Sequence, residues 1–286
     1  MKRSLLPLFL AGTVHVIDAQ QPTFSARADL VYVDVLVTDG TEIVRNLTAK
    51  DFEVRDNGVR QQIEFVSIDS RPINVTLTLD MSQSVAGIRL TRLREAVAAV
   101  LDSMAAGDRV SLLTFSHIVA NRAALTSNVS LVREALASVA PSGPTALVDA
   151  TYATLTAASP ADSRTLAIVF SDGLDTASWL TAESVLAAAK RSPVVIYGVD
   201  ARQRGSSFLQ GVASETGGRL IQLTWLDALR ELFVELLTEF RFRYLIGYVP
   251  KGVASSGWHE LDVRVRGRGT VKARRGYERK ISSAAR

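Results

Sequence analysis

The chain contains no cysteine. That excludes disulfides, thiolate nucleophiles, thiolate zinc sites and a lipid anchor through an N-terminal cysteine. Histidine is scarce as well: His15, His117 and His259 are the only three, and no two are close in sequence. A zinc centre held by several histidines is therefore not expected. Neither a Walker-type phosphate loop nor a Gly-x-Gly-x-x-Gly turn occurs, which argues against nucleotide chemistry. Beyond the N-terminal segment, no stretch reaches the roughly 18 consecutive apolar residues needed to span a bilayer. Low-complexity tracts and internal repeats are missing. Neither sign of charge dominates: 33 Lys and Arg face 29 Asp and Glu, and the surplus of +4 gathers late in the chain.

What is present suits a folded protein. The 286 residues are 47% hydrophobic and 22% charged, enough to bury a sizeable core. That length fits one large domain, or a medium one with a smaller companion. Residues 1–19 read as an export signal: Lys2 and Arg3, a short apolar stretch over 5–16, and Ala19 before Gln20. The expectation is a bacterial periplasmic or extracellular protein. The alternatives are an uncleaved membrane anchor or a first strand that mimics a signal.

Hydrophobic periodicity divides the rest into three parts. Over residues 27–70, Val31, Val33, Val35 and Val37 alternate with other residues at period two, and Phe52, Val54, Ile63 and Phe65 repeat the pattern. Asp56-Asn57-Gly58 between them is a strong hairpin signal. From 72 to 240, strands and helices alternate. Strands are expected at 75–79, 110–115, 118–125, 166–170, 194–199 and 219–223. Helices are expected at 90–104, 130–138, 146–158, 181–191, 206–216 and 226–240. Such alternation implies a doubly wound, mainly parallel sheet with helices on both faces. Residues 242–280 return to period two, with strands expected at 244–248, 261–265 and 271–277. The expected architecture is thus an α/β unit inserted in a small antiparallel β-sandwich formed by both chain ends.

Ligands in open α/β sheets bind beyond the carboxyl ends of the strands. Three polar clusters are expected at such strand ends and helix starts. They are Asp80-Met81-Ser82-Gln83-Ser84, Ser142-Gly143-Pro144-Thr145 and Ser171-Asp172-Gly173. Together they offer two carboxylates and three hydroxyls through Asp80, Ser82, Ser84, Thr145 and Asp172. All are hard oxygen donors of the kind that Mg²⁺ or Mn²⁺ accepts. Taken singly, each of the five also suits a helix cap or a turn.

The combination, in this order, resembles the von Willebrand factor A domain and its metal-ion-dependent adhesion site. The resemblance covers roughly residues 72–240. The flanks, with Asp51-Phe52-Glu53-Val54, Asp56-Asn57-Gly58 and the Tyr248 to Gly276-Tyr277 region, further resemble bacterial von Willebrand A-related proteins of the Acidobacteria. The resemblance implies that Ser82, Ser84 and Thr145 touch the metal through neutral hydroxyls. Asp80 and Asp172 would hold it directly or through water. One open position would take an Asp or Glu of a partner protein, and ligation could couple to a shift of the 226–240 helix.

The leading expectation is therefore a divalent-metal-dependent protein-binding module for adhesion or assembly, and not an enzyme. One alternative is a structural envelope protein whose metal stabilises the fold. Another is a phosphoryl-transfer enzyme with Asp80 as nucleophile, which would want a second Asp where Ser82 stands. Asp149 reads as a surface or loop-anchoring residue, Asp175 as a turn residue on the rim, His117 as a loop residue, and His259 as part of a packed turn beside Trp258. The late basic residues (Arg264, Arg266, Arg268, Lys272, Arg274, Arg275, Arg279 and Lys280) alternate with apolar ones. They read as a solvated strand face that could meet an anionic envelope surface, and not as a nucleic-acid stripe. The sequons at Asn46, Asn74 and Asn128 carry little weight in a chain of bacterial character.

Overall fold

The computed structural model describes residues 30–68, 71–157, 164–202, 205–267 and 269–279. The expected export signal at 1–19 lies outside them. So do Arg268 and Lys280 of the basic tail.

The first part of the chain is all strand: β1 (Val31–Asp39), β2 (Glu42–Ile43), β3 (Phe52–Asp56), β4 (Val59–Gln61) and β5 (Ile63–Ile68). Asn57 (φ 47°) and Gly58 (φ 80°) both take positive φ, as the tight β3–β4 hairpin requires. The middle part runs β6 (Ile73–Asp80), α1 (Ile88–Asp102), β7 (Arg109–Phe115), β8 (Val119–Thr126), α2 (Val129–Ala137), α3 (Leu147–Thr156) and β9 (Arg164–Ser171). It continues through α4 (Ala182–Arg191), β10 (Val195–Asp200), α5 (Ser207–Thr216), β11 (Arg219–Gln222) and α6 (Leu229–Arg241). The chain then returns to strands: β12 (Tyr244–Tyr248), β13 (Gly257–Val265), β14 (Thr270–Lys272) and β15 (Gly276–Arg279).

The middle part forms one sheet in the order β11-β10-β9-β6-β7-β8, parallel except for β8. Every residue of β6 and β9 is buried, because helices cover both faces. Leu77, Leu79, Ile168 and Phe170 pack on one face against α1, α2 and α6 through Leu93, Val97, Val132 and Phe233. Ala167, Val169 and Ile196 pack on the other face against α3, α4 and α5 through Leu155, Val185 and Val212. Buried hydroxyls of this sheet are paired: Thr78 Oγ1 lies 2.7 Å from Thr154 Oγ1 of α3, and Ser111 Oγ donates to Thr76 Oγ1 of the neighbouring strand at 3.0 Å.

Both chain ends combine in two antiparallel sheets, β14-β1-β12-β5 with β2 on β1, and β15-β13-β3-β4. Val33, Val35, Tyr244 and Ile246 from the first sheet share one core with Phe52, Val54 and Leu261 from the second. The sandwich is therefore closed only when N-terminal β1 and β3 meet C-terminal β12 and β13. The α/β unit is an insertion between them.

Several expectations are corrected. The single strand expected at 271–277 is two strands in different sheets, β14 beside β1 and β15 beside β13. Period two identifies extended chain but not the sheet it joins. The last helix begins at Leu229, after a 3-10 turn at Leu226–Ala228. His259 is no turn residue. It lies in β13, fully buried, with Nδ1 2.6 Å from Asp56 Oδ1. Tyr248 and Tyr277 donate to Asp56 Oδ2, each at 2.8 Å. Nor is the whole basic tail solvated. Burial lowers the pKa of Lys272 and of Arg274, and Arg274 donates to the carbonyls of Gly276 and Lys190.

Candidate metal centre

In chain order β6 leads to β7 on one side of the sheet, and the chain later returns to β9 on the other side of β6. The loops leaving β6 and β9 therefore diverge at the point where strand order reverses, which is where doubly wound sheets open a crevice. Asp80 is the last residue of β6, and Asp172 follows the last residue of β9.

Asp80 is fully buried. Its Oδ1 accepts the Ser82 N–H at 2.8 Å, which bends the chain out of the strand, and its Oδ2 accepts the Ser171 hydroxyl at 2.8 Å. Burial raises its pKa, and the nearby Asp172 charge adds to this against the hydrogen bonds from Ser82 and Ser171. Ser82 Oγ lies 3.0 Å from Ser84 Oγ, and the Ser84 hydroxyl donates to Asp172 Oδ1 at 2.6 Å. The β6 and β9 loops thus meet side chain to side chain.

Thr145 comes from the third loop. Gln83 N–H donates to the Gly143 carbonyl at 3.0 Å, and Ser142 N–H to Met81 at 2.9 Å, which fastens this loop to the first. The Thr145 carbonyl accepts the N–H groups of Thr176 and Ala177 at 2.8 and 3.0 Å, which fastens it to the loop after β9. A Cβ at Gly173 would stand 2.8 Å from Thr145 Oγ1, so the hydroxyl sits directly over the Asp172-Gly173 turn. All five residues expected from the sequence are thereby brought to one place.

The capping role that each hydroxyl could have filled is not taken. Ser82 stands before the 3-10 turn Gln83–Val85 without a side-chain cap bond, and the residue preceding α3 is Ala146, not Thr145. Asp149 anchors a loop as expected, with its carboxylate accepting the N–H groups of Trp179 and Leu180. Asp175 on the rim accepts Val148 N–H at 3.1 Å and the Ser178 hydroxyl at 2.6 Å. His117 is in an exposed loop, with Nδ1 3.4 Å from Ser116 Oγ.

Two contributors were not assigned from sequence. Ser171 holds the inner oxygen of Asp80. The second is Arg89, in the first turn of α1. Its Nε lies 3.3 Å from Asp172 Oδ2, and its Nη1 is 3.5 Å from the Ser84 carbonyl oxygen. Ser171 belongs to a polar cluster visible in the sequence. Nothing in the spacing distinguishes Arg89 from Arg92 and Arg94 on the same helix.

The residues fit a hard divalent cation. Two carboxylates and three hydroxyls converge, both carboxylate side chains are buried, and glycine at 173 leaves the Thr145 hydroxyl room. Among the described residues, no group of three or more His, Asp or Glu side chains gathers to hold a metal, so this centre rests on two carboxylates completed by hydroxyls.

A doubly wound sheet of this order with its site at the β6–β9 crevice defines a class of α/β ligand-binding domain. The von Willebrand factor type A domain model matches residues 74–235, more than half of the chain, and the chain belongs to that family. VWA domains mediate protein–protein interactions and often bind a divalent metal at their adhesion site, so the chain is placed among interaction modules. No curated protein sequence matches it significantly.

Solved structures share the fold. A von Willebrand factor type A protein from Catenulispora acidiphila is 12% identical, over 82% of this chain and 75% of that one, with a TM-score of 0.53. Proximal thread matrix protein 1 from the mussel byssus, described with a zinc-occupied MIDAS motif, is 16% identical over 64% of this chain and 49% of that one, also at 0.53. The PilB minor pilin of Streptococcus sanguinis, as its D319A mutant, is 12% identical over 60% and 62%, at 0.51. At such identities the likeness is one of fold alone.

Proposed function

We propose that the chain is an exported, divalent-metal-dependent protein-binding module that takes an Asp or Glu side chain of its partner at the metal. The observation that carries this reading is the convergence of Asp80, Ser82, Ser84, Thr145 and Asp172 with hydroxyls unused as helix caps. Mg²⁺ or Mn²⁺, when bound there, supplies an electrophilic position that a carboxylate can fill. Asp80 and Asp172 would hold the ion, with Ser82, Ser84 and Thr145 as neutral donors. Ser171 and Arg89 fix the orientation of the two carboxylates. Two acidic ligands leave a divalent ion close to neutral and still attractive to a third. The mussel protein's zinc-occupied motif supports a metal in this kind of donor set.

We read the site as non-catalytic. The residue two after Asp80 is a serine whose hydroxyl lies beside Ser84, and the exposed His117 ring lies against Ser116 and Gly143. The N-terminal segment supports a periplasmic or cell-surface setting. The exposed Arg264 and Arg266 offer charge for contact with an anionic envelope.

Calorimetric titration with Mg²⁺ and Mn²⁺ tests the reading. Wild type is expected to bind one ion. Asp80→Ala should abolish binding, and Thr145→Ala should weaken it about tenfold, the equivalent of about 1.4 kcal/mol. No heat with wild type, or equal binding by Asp80→Ala, would refute the metal centre. A metal that raised the melting temperature without supporting any partner capture would favour a purely structural ion.

A further inference from the structure

We propose that Trp179, with Leu174 and Ile118, forms an apolar anchor beside the metal centre that selects a partner segment carrying its acidic residue next to a large apolar side chain. This rests on the metal-dependent reading above and names the chemistry of the partner.

Trp179 is 93% exposed, Leu174 69% and Ile118 62%. All three stand on loops bonded to Thr145 or its neighbour. The Thr145 carbonyl holds Thr176 and Ala177, between Leu174 and Trp179. On the other side, Ala146 N–H donates to the Ser116 carbonyl at 2.7 Å, and Ser116 N–H to that of Ile118 at 3.1 Å. Backbone bonds therefore tie the loops that carry all three exposed side chains to the segment of Thr145, the residue expected to touch the metal.

The loop does not depend on its own indole. Asp149 takes the N–H groups of Trp179 and Leu180 at 3.0 and 2.9 Å, and Asp175 takes the Ser178 hydroxyl. Two carboxylates thus hold the loop while the indole stands in water. A large aromatic surface kept exposed on a pre-ordered loop is the arrangement expected of a binding anchor, because little ordering remains to oppose association. The charged groups indicate what kind of segment docks. The rim presents the half-exposed Arg89 guanidinium beside Asp172, next to a site built for a cation, while Asp149 and Asp175 are occupied by loop hydrogen bonds. The complementary segment is acidic at the metal and apolar beside it.

The test is to pan a phage-displayed random peptide library on the full chain in Mg²⁺ and to elute with EDTA. Wild type is expected to yield peptides with Asp or Glu within about three residues of Trp, Phe, Leu or Ile. The Trp179→Ala variant should melt as wild type does and bind Mn²⁺ equally. It should bind the strongest wild-type peptide about tenfold or more weakly. Trp225→Ala, which removes an exposed indole at the sheet's β11 edge, should leave that affinity unchanged. Peptides that share an acid but no apolar residue would overturn the proposal. So would equal affinity in Trp179→Ala, or a Trp179-dependent dimer of the chain itself in sedimentation. A chain that binds Mn²⁺ yet releases no peptide with EDTA would overturn it while sparing the metal centre. A chain that binds no Mn²⁺ would overturn both.

Discussion

Asp108 has no exposed side-chain surface, yet three elements converge on its carboxylate. It accepts the N–H of Ile73 at the start of β6 at 3.0 Å and that of Ala105 after α1 at 2.7 Å, and it pairs with Arg241 at the end of α6. Burial pushes its carboxyl up. The hydrogen bonds from Arg241, Ile73 and Ala105, together with the Arg241 charge, outweigh burial and hold it below the usual carboxylate range. A group with a depressed folded-state pKa adds stability that is fully present above its unfolded pKa and is lost as pH falls through the folded one. The window here therefore opens at about pH 4 and extends downward. Asp108→Asn keeps the shape and removes the charge. In urea it should unfold about 1–3 kcal/mol more easily at pH 7, the range for breaking hydrogen bonds to a buried charged group. The deficit should shrink at pH 3, where wild type has begun to lose the same term. A deficit of equal size at both pH values would show that the charge of Asp108 is not what stabilises this corner.

The turn after β9 is the element on which the site depends most. Gly173 lies outside the left-handed region, so an alanine there meets no backbone strain. Its new methyl would meet Thr145 Oγ1 at 2.8 Å, closer than side-chain carbons come. The expected outcome for Gly173→Ala is a melting temperature near that of wild type, since surface changes away from core and caps stay within about 0.5 kcal/mol. Mn²⁺ affinity should nevertheless fall about tenfold as the hydroxyl is displaced, which a titration would read directly. Unchanged affinity would show that Thr145 can move without cost. Elements of this kind were legible in unequal measure. The apolar runs of β6 and β9, the helical spacing of α1 and α6, and the Asn57-Gly58 turn are short-range signals, and the structure follows them. The strand ends gave the place of the five oxygen donors, because a doubly wound sheet has only one carboxyl edge. What stayed hidden is long-range. The contact of Arg89 with Asp172 depends on how α1 packs, and the pairing of His259 with Asp56 spans two chain ends. The split of β14 from β15 depends on which sheet has a free edge. None of these leaves a periodic trace.

At the scale of the molecule, the two hydrophobic cores of the α/β unit and the single core of the sandwich are joined by a polar seam. Arg243, between α6 and β12, is fully buried there. One Nη donates to the Tyr197 hydroxyl at 3.1 Å. The other donates to the carbonyls of Asp34 in β1 at 3.2 Å, Gly217 after α5 at 2.7 Å and Lys272 in β14 at 3.2 Å. Arg164 at the start of β9 adds an ion pair to Asp34 at 2.6 Å. Gly217 is forced by both geometry and space: its φ is 77°, and a Cβ there would meet the Arg274 backbone nitrogen at 2.4 Å. The strands of the sandwich therefore run directly against the amino-terminal edge of the α/β sheet, opposite the metal centre. Such a seam sets how the binding edge is held out from the sandwich, and little apolar packing replaces it if the guanidinium is lost. Arg243→Ala would leave three carbonyls and one hydroxyl without their donor, a cost of about 3 kcal/mol or more if each loses part of a buried hydrogen bond. The cores around Phe233 and around Tyr244 would both survive. Calorimetry should then show the single cooperative transition of wild type separating into two, since units with their own cores uncouple when their interface fails. Mn²⁺ binding should persist, because the five donors belong wholly to the α/β unit. A single transition at the wild-type temperature would mean that the seam is held by the strand crossings alone and that Arg243 only fills space.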